Sequence, residues 1–156
     1  MVEYSQSEED YLETLYVIQL ENKIIRVKDV AQALDVTMPS VVAAIRSLSE
    51  KGLVKQEKYS HIELTDEGNK VAKDVYKRHK LLYAFFHEVL GLDSKIAEVD
   101  ACQMEHHLSP QTRERLLRIV EYTRACKEDE VFFLKRFMHF VNTGKIPAPC
   151  AGCTKK

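Results

Sequence analysis

Residues 28–48 read KDVAQALDVTMPSVVAAIRSL, and this stretch decides the fold. Val30, Ala31 and Leu34 share one face of a short helix that ends near Asp35. Thr37 then supplies an N-terminal cap and Pro39 suits a first helical turn, after which Val41, Ala44, Ile45 and Leu48 follow at i, i+3, i+4 and i+7. Two helices joined by a tight turn make a helix-turn-helix. Upstream, Ser5-Gln6-Ser7-Glu8 is a capping-box pattern, and Tyr11, Leu12, Leu15 and Tyr16 continue a helix over about Ser7 to Glu21. Downstream the period changes: Leu53 to Lys58 and His61 to Leu64 read as two short extended segments around Tyr59-Ser60, a small hairpin. Three helices followed by a hairpin predict a winged helix-turn-helix.

Beyond the hairpin, Thr65-Asp66-Glu67-Gly68 caps a long helix in which Val71, Val75, His79, Leu82 and Phe86 recur up to about Leu90, with an interruption at Gly91. Further helices are expected over 94–108, 110–125 and 130–142, while Lys145 to Cys153 has no periodicity. The fold class is mainly α: an N-terminal winged helix-turn-helix domain over 1–70, an all-helical domain over 71–142, and a flexible tail over 143–156. The boundary between the two domains falls inside a continuous helix.

Composition narrows the function classes. The chain has 156 residues, 45% hydrophobic and 30% charged, with a formal net charge of −1, the size of one soluble domain or two small ones. Unbroken apolar runs such as Val131 to Leu134 are far short of the roughly 20 residues that span a bilayer, so no membrane partner is expected. The polar, acidic stretch Met1 to Asp10 lacks the features of a signal peptide, which predicts a cytoplasmic protein. Charge balance gives no global argument for nucleic acid, so that reading rests on local motifs.

The second helix of a helix-turn-helix projects its first residues into the DNA major groove while the wing reaches the backbone. Here Thr37, Met38, Pro39, Ser40 and Ala43 form the reading end. No Arg, Asn or Gln sits there for bidentate base contacts, so readout is modest or partly indirect. Between Lys23 and Lys58, seven basic residues, among them Arg26, Lys28, Arg46 and Lys58, outnumber four acidic ones, an excess suited to phosphate. The competing reading is a winged helix that docks protein.

Three groups of residues point to metal. Cys102, Glu105 and His106 fall at i, i+3 and i+4 of an expected helix, so a thiolate, a carboxylate and an imidazole can converge on one ion, with His107 pointing away. Asp10 and Glu13 are i, i+3 neighbours on the first helix. His79 lies on the apolar side of the long helix. Together these six could form two adjacent sites of mixed oxygen, nitrogen and sulfur ligands. Taken singly, each has a plainer explanation as a solvated acidic face or a core histidine. Cys150-Ala151-Gly152-Cys153, with Cys126 and His139 as further candidates, is half of a second metal or redox site, or simply an exposed tail.

The order of a capped helix bearing Asp10 and Glu13, a winged helix ending Leu64-Thr65-Asp66-Glu67-Gly68, then Arg78-His79-Lys80-Leu81-Leu82, then Cys102-x-x-Glu105-His106-His107-Leu108-Ser109 resembles the diphtheria-toxin-repressor and manganese-transport-regulator family of metal-dependent transcriptional repressors. The likeness covers about residues 4–120. It implies a homodimer that binds a double-stranded, palindromic DNA operator when divalent metal is present and controls genes of metal uptake and homeostasis; a short form without the SH3-like domain of the longer iron regulators is expected. By position, Asp10, Glu13, His79, Glu105 and His106 match the ligands of the manganese-sensing branch. Cys102 matches the iron-sensing branch, which carries Met where this chain has Asp10, and Tyr83 stands where that branch has a carboxylate ligand. The chain is a hybrid, and Fe(II) or Mn(II) is the expected corepressor, with Co(II), Ni(II) or Zn(II) binding in vitro. One ion would tie the two domains together.

A dimer is also expected from Leu116, Leu117, Ile119, Val120, Val131, Phe132, Phe133, Leu134, Phe137, Phe140 and Val141, which make the last helices apolar on more than one face. Two other classes compete. One is a metalloenzyme using Glu105 as a base, against which stand the lack of a Gly-rich phosphate cradle and of a nucleophile with a partner base. The other is a winged-helix regulator that senses a small molecule in an apolar pocket.

Overall fold

The computed structural model describes residues 4–21, 23–56, 61–125 and 132–147. The chain divides into two compact units, Met1–His79 and the remainder from Lys80.

In the first unit, α1 (Gln6–Leu20) starts at a reciprocal cap: the Ser5 side chain accepts from the Glu8 N–H and the Glu8 carboxylate accepts from the Ser5 N–H. It buries Tyr11, Leu12, Leu15 and Ile18, the helical stripe read from the sequence. Helices α2 (Val27–Ala33) and α3 (Met38–Glu50) follow. The turn between them needs one left-handed residue, and Asp35 supplies it at φ 52°, a conformation short polar side chains tolerate. Thr37 caps α3 by accepting from the Ser40 N–H at 3.4 Å. Strands β1 (Val54–Gln56) and β2 (Ile62–Leu64) pair antiparallel with Val54 opposite Leu64, and Ile25 bridges to Ile62. The winged helix-turn-helix is thus observed as expected. Leu12, Leu15, Val30, Val41, Ile45, Leu48, Leu53 and Ile62 make its core, each such buried aliphatic side chain contributing about 1.5–3 kcal/mol.

Helix α4 (Asp66–Ala84) is latched to the hairpin by Thr65, whose hydroxyl donates to the Gly52 carbonyl at 2.8 Å and accepts from the Gly68 N–H at 3.0 Å. Its first half packs with the winged unit, since Ala72 lies in that core and Val71 packs against it. Helices α1 and α4 run antiparallel along a seam. Glu9 meets Arg78, Glu13 meets His79, the Tyr16 and Tyr76 rings pack at a 59° tilt with centroids 5.5 Å apart, and Gln19 bonds Asn69 at 2.9 Å, so that overall α1 ascends as α4 descends.

In the second unit, the expected continuous α-helix to Leu90 is replaced after Ala84 by a π-helical turn over Phe85–Val89, where the Leu90 N–H reaches back to the Phe85 carbonyl at 3.1 Å. Gly91 (φ 70°) then ends the run, and the Met138 side chain fills the space a Cβ would take. Helices α5 (Ser94–Met104), α6 (Pro110–Ala125) and α7 (Phe132–Thr143) complete the unit. Helix α5 is shorter than the 94–108 expected. The Ser109 side chain accepts from the Thr112 N–H to cap α6, so the chain must leave helical geometry beforehand, and it does so through a tight turn in which the His107 N–H bonds the Met104 carbonyl.

Leu82, Phe86, Ala97 and Ala101 form one cluster, and Ala84, Val89 and Val120 another, with Leu116 and Leu134 packed against them. Of the residues expected at a dimer interface, Val120 is therefore buried within the chain, whereas Leu117, Ile119, Phe140 and Val141 are exposed. Ile96 and Val99 on α5 are exposed as well, an apolar face not singled out by the sequence. Among the described residues no helix is long and apolar enough to cross a membrane.

Arg124 clamps Glu88 with two hydrogen bonds, 2.8 and 2.6 Å, and this guanidinium holds the Glu88 carboxyl below its ordinary value of 4.5. A lowered folded-state value means the clamp stabilises above the ordinary carboxylate value and is lost as pH falls through the lower folded one. Both side chains are more than a third exposed, so solvent limits the gain to about 0.5 kcal/mol. Glu88→Gln should lower the melting temperature at pH 7 by about 1–2 °C and leave it unchanged at pH 2. An equal effect at both pH values would sink this account.

Candidate metal centre

Helix α1 carries four carboxylates in its first half, Glu8, Glu9, Asp10 and Glu13. Glu8 is taken by Lys51, which pulls its carboxyl below the ordinary range. Glu9 is taken by Arg78 at 2.7 Å, with both side chains 14% exposed. Glu13 faces His79, with Oε1 3.9 Å from Nδ1, in a pocket that leaves the imidazole 8% and the carboxylate 14% exposed. Asp10, half-buried, lies one turn before Glu13 on the same helix. The first unit therefore gathers oxygen and nitrogen donors at one end of the α1–α4 seam.

The second unit holds a carboxylate in an unusual place. Glu105 is 1% exposed and forms the C-terminal cap of α5. Burial penalises its charge, and so does the negative end of the helix dipole. Within the unit it faces His106, with Nε2 3.3 Å from Oε1 and the imidazole 4% exposed. Cys102 does not share this burial: it is exposed on α5 and is not in a disulfide. Of the three, Cys102 lies within α5, Glu105 is its C-terminal cap with helical dihedrals, and His106 belongs to the turn that follows. His107 is exposed.

The expected DNA-reading residues Thr37, Met38, Pro39, Ser40 and Ala43 are all exposed at the start of α3, as are Arg26 and Lys28 around the start of α2. Arg46 is exposed and pairs with Glu50 at 3.1 Å. Val42, 53% exposed next to Ala43, is a surface residue the sequence reading did not single out, because valine on a helix usually signals core. Lys51, one of the seven basic residues between Lys23 and Lys58, is engaged by Glu8. Lys58, Cys126, Cys150 and Cys153 lie outside the described residues.

A model of the N-terminal DNA-binding domain of iron-dependent repressors matches residues 3–62, and one of the iron-dependent repressor metal-binding and dimerisation domain matches residues 65–132. The chain belongs to the iron-dependent repressor family. An uncharacterised HTH-type transcriptional regulator of Methanocaldococcus jannaschii is 39% identical over 118 residues, 75% of this chain and 94% of that one. The HTH-type transcriptional regulator MntR of Bacillus subtilis is 35% identical over 116 residues, 74% of this chain and 81% of its own length. Among solved structures, the manganese regulator SloR has a TM-score of 0.66 at 28% identity, covering 74% of this chain and 54% of its own. ScaR with bound Zn2+ has a TM-score of 0.60 at 32% identity, covering 74% and 54%. The chain thus spans about half the length of these solved regulators. The expected family and fold class are borne out, and the chain is a member of a family of metal-dependent transcriptional regulators.

Proposed function

We propose that this iron-dependent-repressor family member is a homodimeric, cytoplasmic repressor without enzymatic activity, that Fe(II) or Mn(II) is its corepressor, and that it controls genes of metal uptake and homeostasis through a palindromic operator. The observation that carries the reading is the pair of buried acid–imidazole sets, Glu13 with His79 in one unit and Glu105 with His106 in the other. Carboxylate oxygens with imidazole nitrogens suit Mn(II) and Fe(II), so the residues present fit such an ion. Asp10, Glu13, His79, Glu105 and His106 would hold it, with Cys102 as a further donor. A bound cation supplies the positive charge that otherwise crowded carboxylates need.

Donors drawn from both units would tie the DNA-reading unit to the dimerising one. Asp10 and Glu13 sit on α1, which packs on the α2–α3 pair through Leu12 and Leu15, so restraining α1 restrains the reading helix. The binding-competent state of the dimer requires two reading helices about 34 Å apart. Shifting the population toward it by about 1–3 kcal/mol changes DNA affinity roughly 5- to 150-fold, and DNA tightens metal binding by the same factor. The test is anaerobic selection from a randomised duplex pool with chelated protein, Mn(II), Fe(II) or Zn(II). Enrichment of a palindrome only with metal is the expected result. Enrichment without metal would remove the switch, and no enrichment at all would remove the DNA-binding reading.

A further inference from the structure

Helix α1 places Glu9 directly before Asp10, and helix α4 places Arg78 directly before His79. Arg78 spans the seam with its two ends: Nη2 contacts Glu9 Oε1 at 2.7 Å, and Nε lies 3.6 Å from Asp74 Oδ2 one turn back on α4. We infer that the Arg78–Glu9 pair is a positioning device for metal binding, one that fixes the register of α1 on α4 and keeps Glu9 from acting as a ligand. The inference rests on the metal-dependent reading above.

The argument is one of sorting. Four carboxylates within six residues of α1 would offer a divalent cation several alternative sets of donors. Glu8 is withdrawn by Lys51 and Glu9 by Arg78, while Glu13 is turned to the His79 imidazole. Glu9 is the acid most able to compete, since it adjoins Asp10 and is as buried as Glu13. A guanidinium suits this task better than an ammonium, because its rigid planar donor array fixes the direction of the carboxylate it bonds. The side chains of Glu9 and Arg78 are 14% exposed, so the pair is shielded from solvent and cannot re-form elsewhere without moving a helix. The other contacts of the seam, Tyr16 on Tyr76 and Gln19 on Asn69, lie one to three turns further along and hold the helices without touching the donor end.

The test is direct Mn(II) binding to the full chain, read from the free Mn(II) signal by electron paramagnetic resonance, beside the melting temperature of chelated protein. Glu9→Gln/Arg78→Met removes the pair but leaves the local net charge at zero, so a change in affinity reports positioning rather than charge. It should weaken Mn(II) binding roughly 10- to 100-fold, as loss of a supporting interaction behind a metal ligand does. The exchanged pair Glu9→Arg/Arg78→Glu should restore affinity to within about threefold, and Gln19→Ala, which cuts a different tie between the same helices, should alter it less than about twofold. The inference is overturned if the neutral pair binds Mn(II) like the wild type, if the exchanged pair folds with an unchanged melting temperature yet binds no better than the neutral one, or if Gln19→Ala loses as much. A wild-type chain that binds no Mn(II), Fe(II) or Co(II) would instead bring down the metal-dependent reading, and this inference with it.

Discussion

Gly68→Ala is expected to destabilise the winged unit by about 3 kcal/mol or more, a large share of the roughly 5–15 kcal/mol that typically holds a domain folded. Gly68 lies in the first turn of α4. A Cβ built on it would overlap the carbonyl oxygen of Leu53 and stand 2.9 Å from the carbonyl carbon and 3.3 Å from the Cα, all backbone atoms that no rotamer change can clear. Neither side can yield cheaply. The Leu53 carbonyl already accepts the Thr65 N–H at 3.0 Å, the Gly68 N–H is committed to the Thr65 hydroxyl, and Leu53 itself is 1% exposed in the core. Relief therefore requires moving the start of α4 away from the hairpin, breaking the Thr65 latch and opening the core beneath the wing. Gly52 provides the internal comparison: its φ is 72° but nothing lies within 4 Å of its Cβ position, so Gly52→Ala should cost only about 1–2 kcal/mol of left-handed strain. Urea melts of the two variants check this, and similar midpoints would show that backbone overlap at Gly68 is accommodated. The Gly68 variant should also lose DNA binding with and without metal, because wing and reading helix share that core.

The role of Gly68 shows where sequence reading stops. In the sequence it is one residue of a capping run, and only the fold brings Leu53 against it. The elements that were legible rest on local rules: the Ser5–Glu8 cap, the Thr37 cap with Pro39 behind it, and apolar residues at helical spacing in α1 and α3. The π-helical turn at Phe85–Val89 was not legible, because over a single turn its apolar pattern fits an α-helix equally well. The end of α5 was misplaced because Leu108 keeps the helical rhythm after the backbone has left it in the turn that follows Glu105. In the candidate metal centre, the residue types were legible but their surroundings were not. Partners such as Glu9 with Arg78 and Glu8 with Lys51 are 69 and 43 residues apart, so no spacing rule finds them. The adjacency of Glu13 and His79 likewise depends on the antiparallel α1–α4 seam. Cys102 illustrates the converse, since it fits the i, i+3, i+4 pattern with Glu105 and His106 and is nonetheless exposed while they are buried.

Glu105→Gln should separate metal binding from folding more sharply than any other single change. The wild-type side chain is 1% exposed and caps the C-terminus of α5, so it bears two electrostatic penalties, desolvation and an opposed helix dipole. Glutamine has nearly the same shape and carries no charge. Metal-free protein should accordingly melt at the same temperature as the wild type or higher, by an amount worth about 1 kcal/mol. In metal the order should reverse. Mn(II) at a thousandfold excess over its dissociation constant adds about 4 kcal/mol to the wild type, which at this chain length corresponds to a rise in melting temperature of roughly 8–16 °C. The variant, lacking one charged donor, should bind at least about a hundredfold more weakly, beyond the range seen for supporting residues, and at the same Mn(II) concentration keep only about a third of that rise. Scanning calorimetry with and without Mn(II), beside Mn(II)-dependent operator binding, reads both signs at once. A variant less stable without metal would make Glu105 a structural partner of His106, and one with an undiminished Mn(II) response would remove it from the ligand set. A selection that retained a charged, buried acid at the wrong end of a helix solely for stability would be working against two energy terms together. A carboxylate kept there for a cation is offset when that cation binds, and the protein then has two states of different energy for metal to choose between.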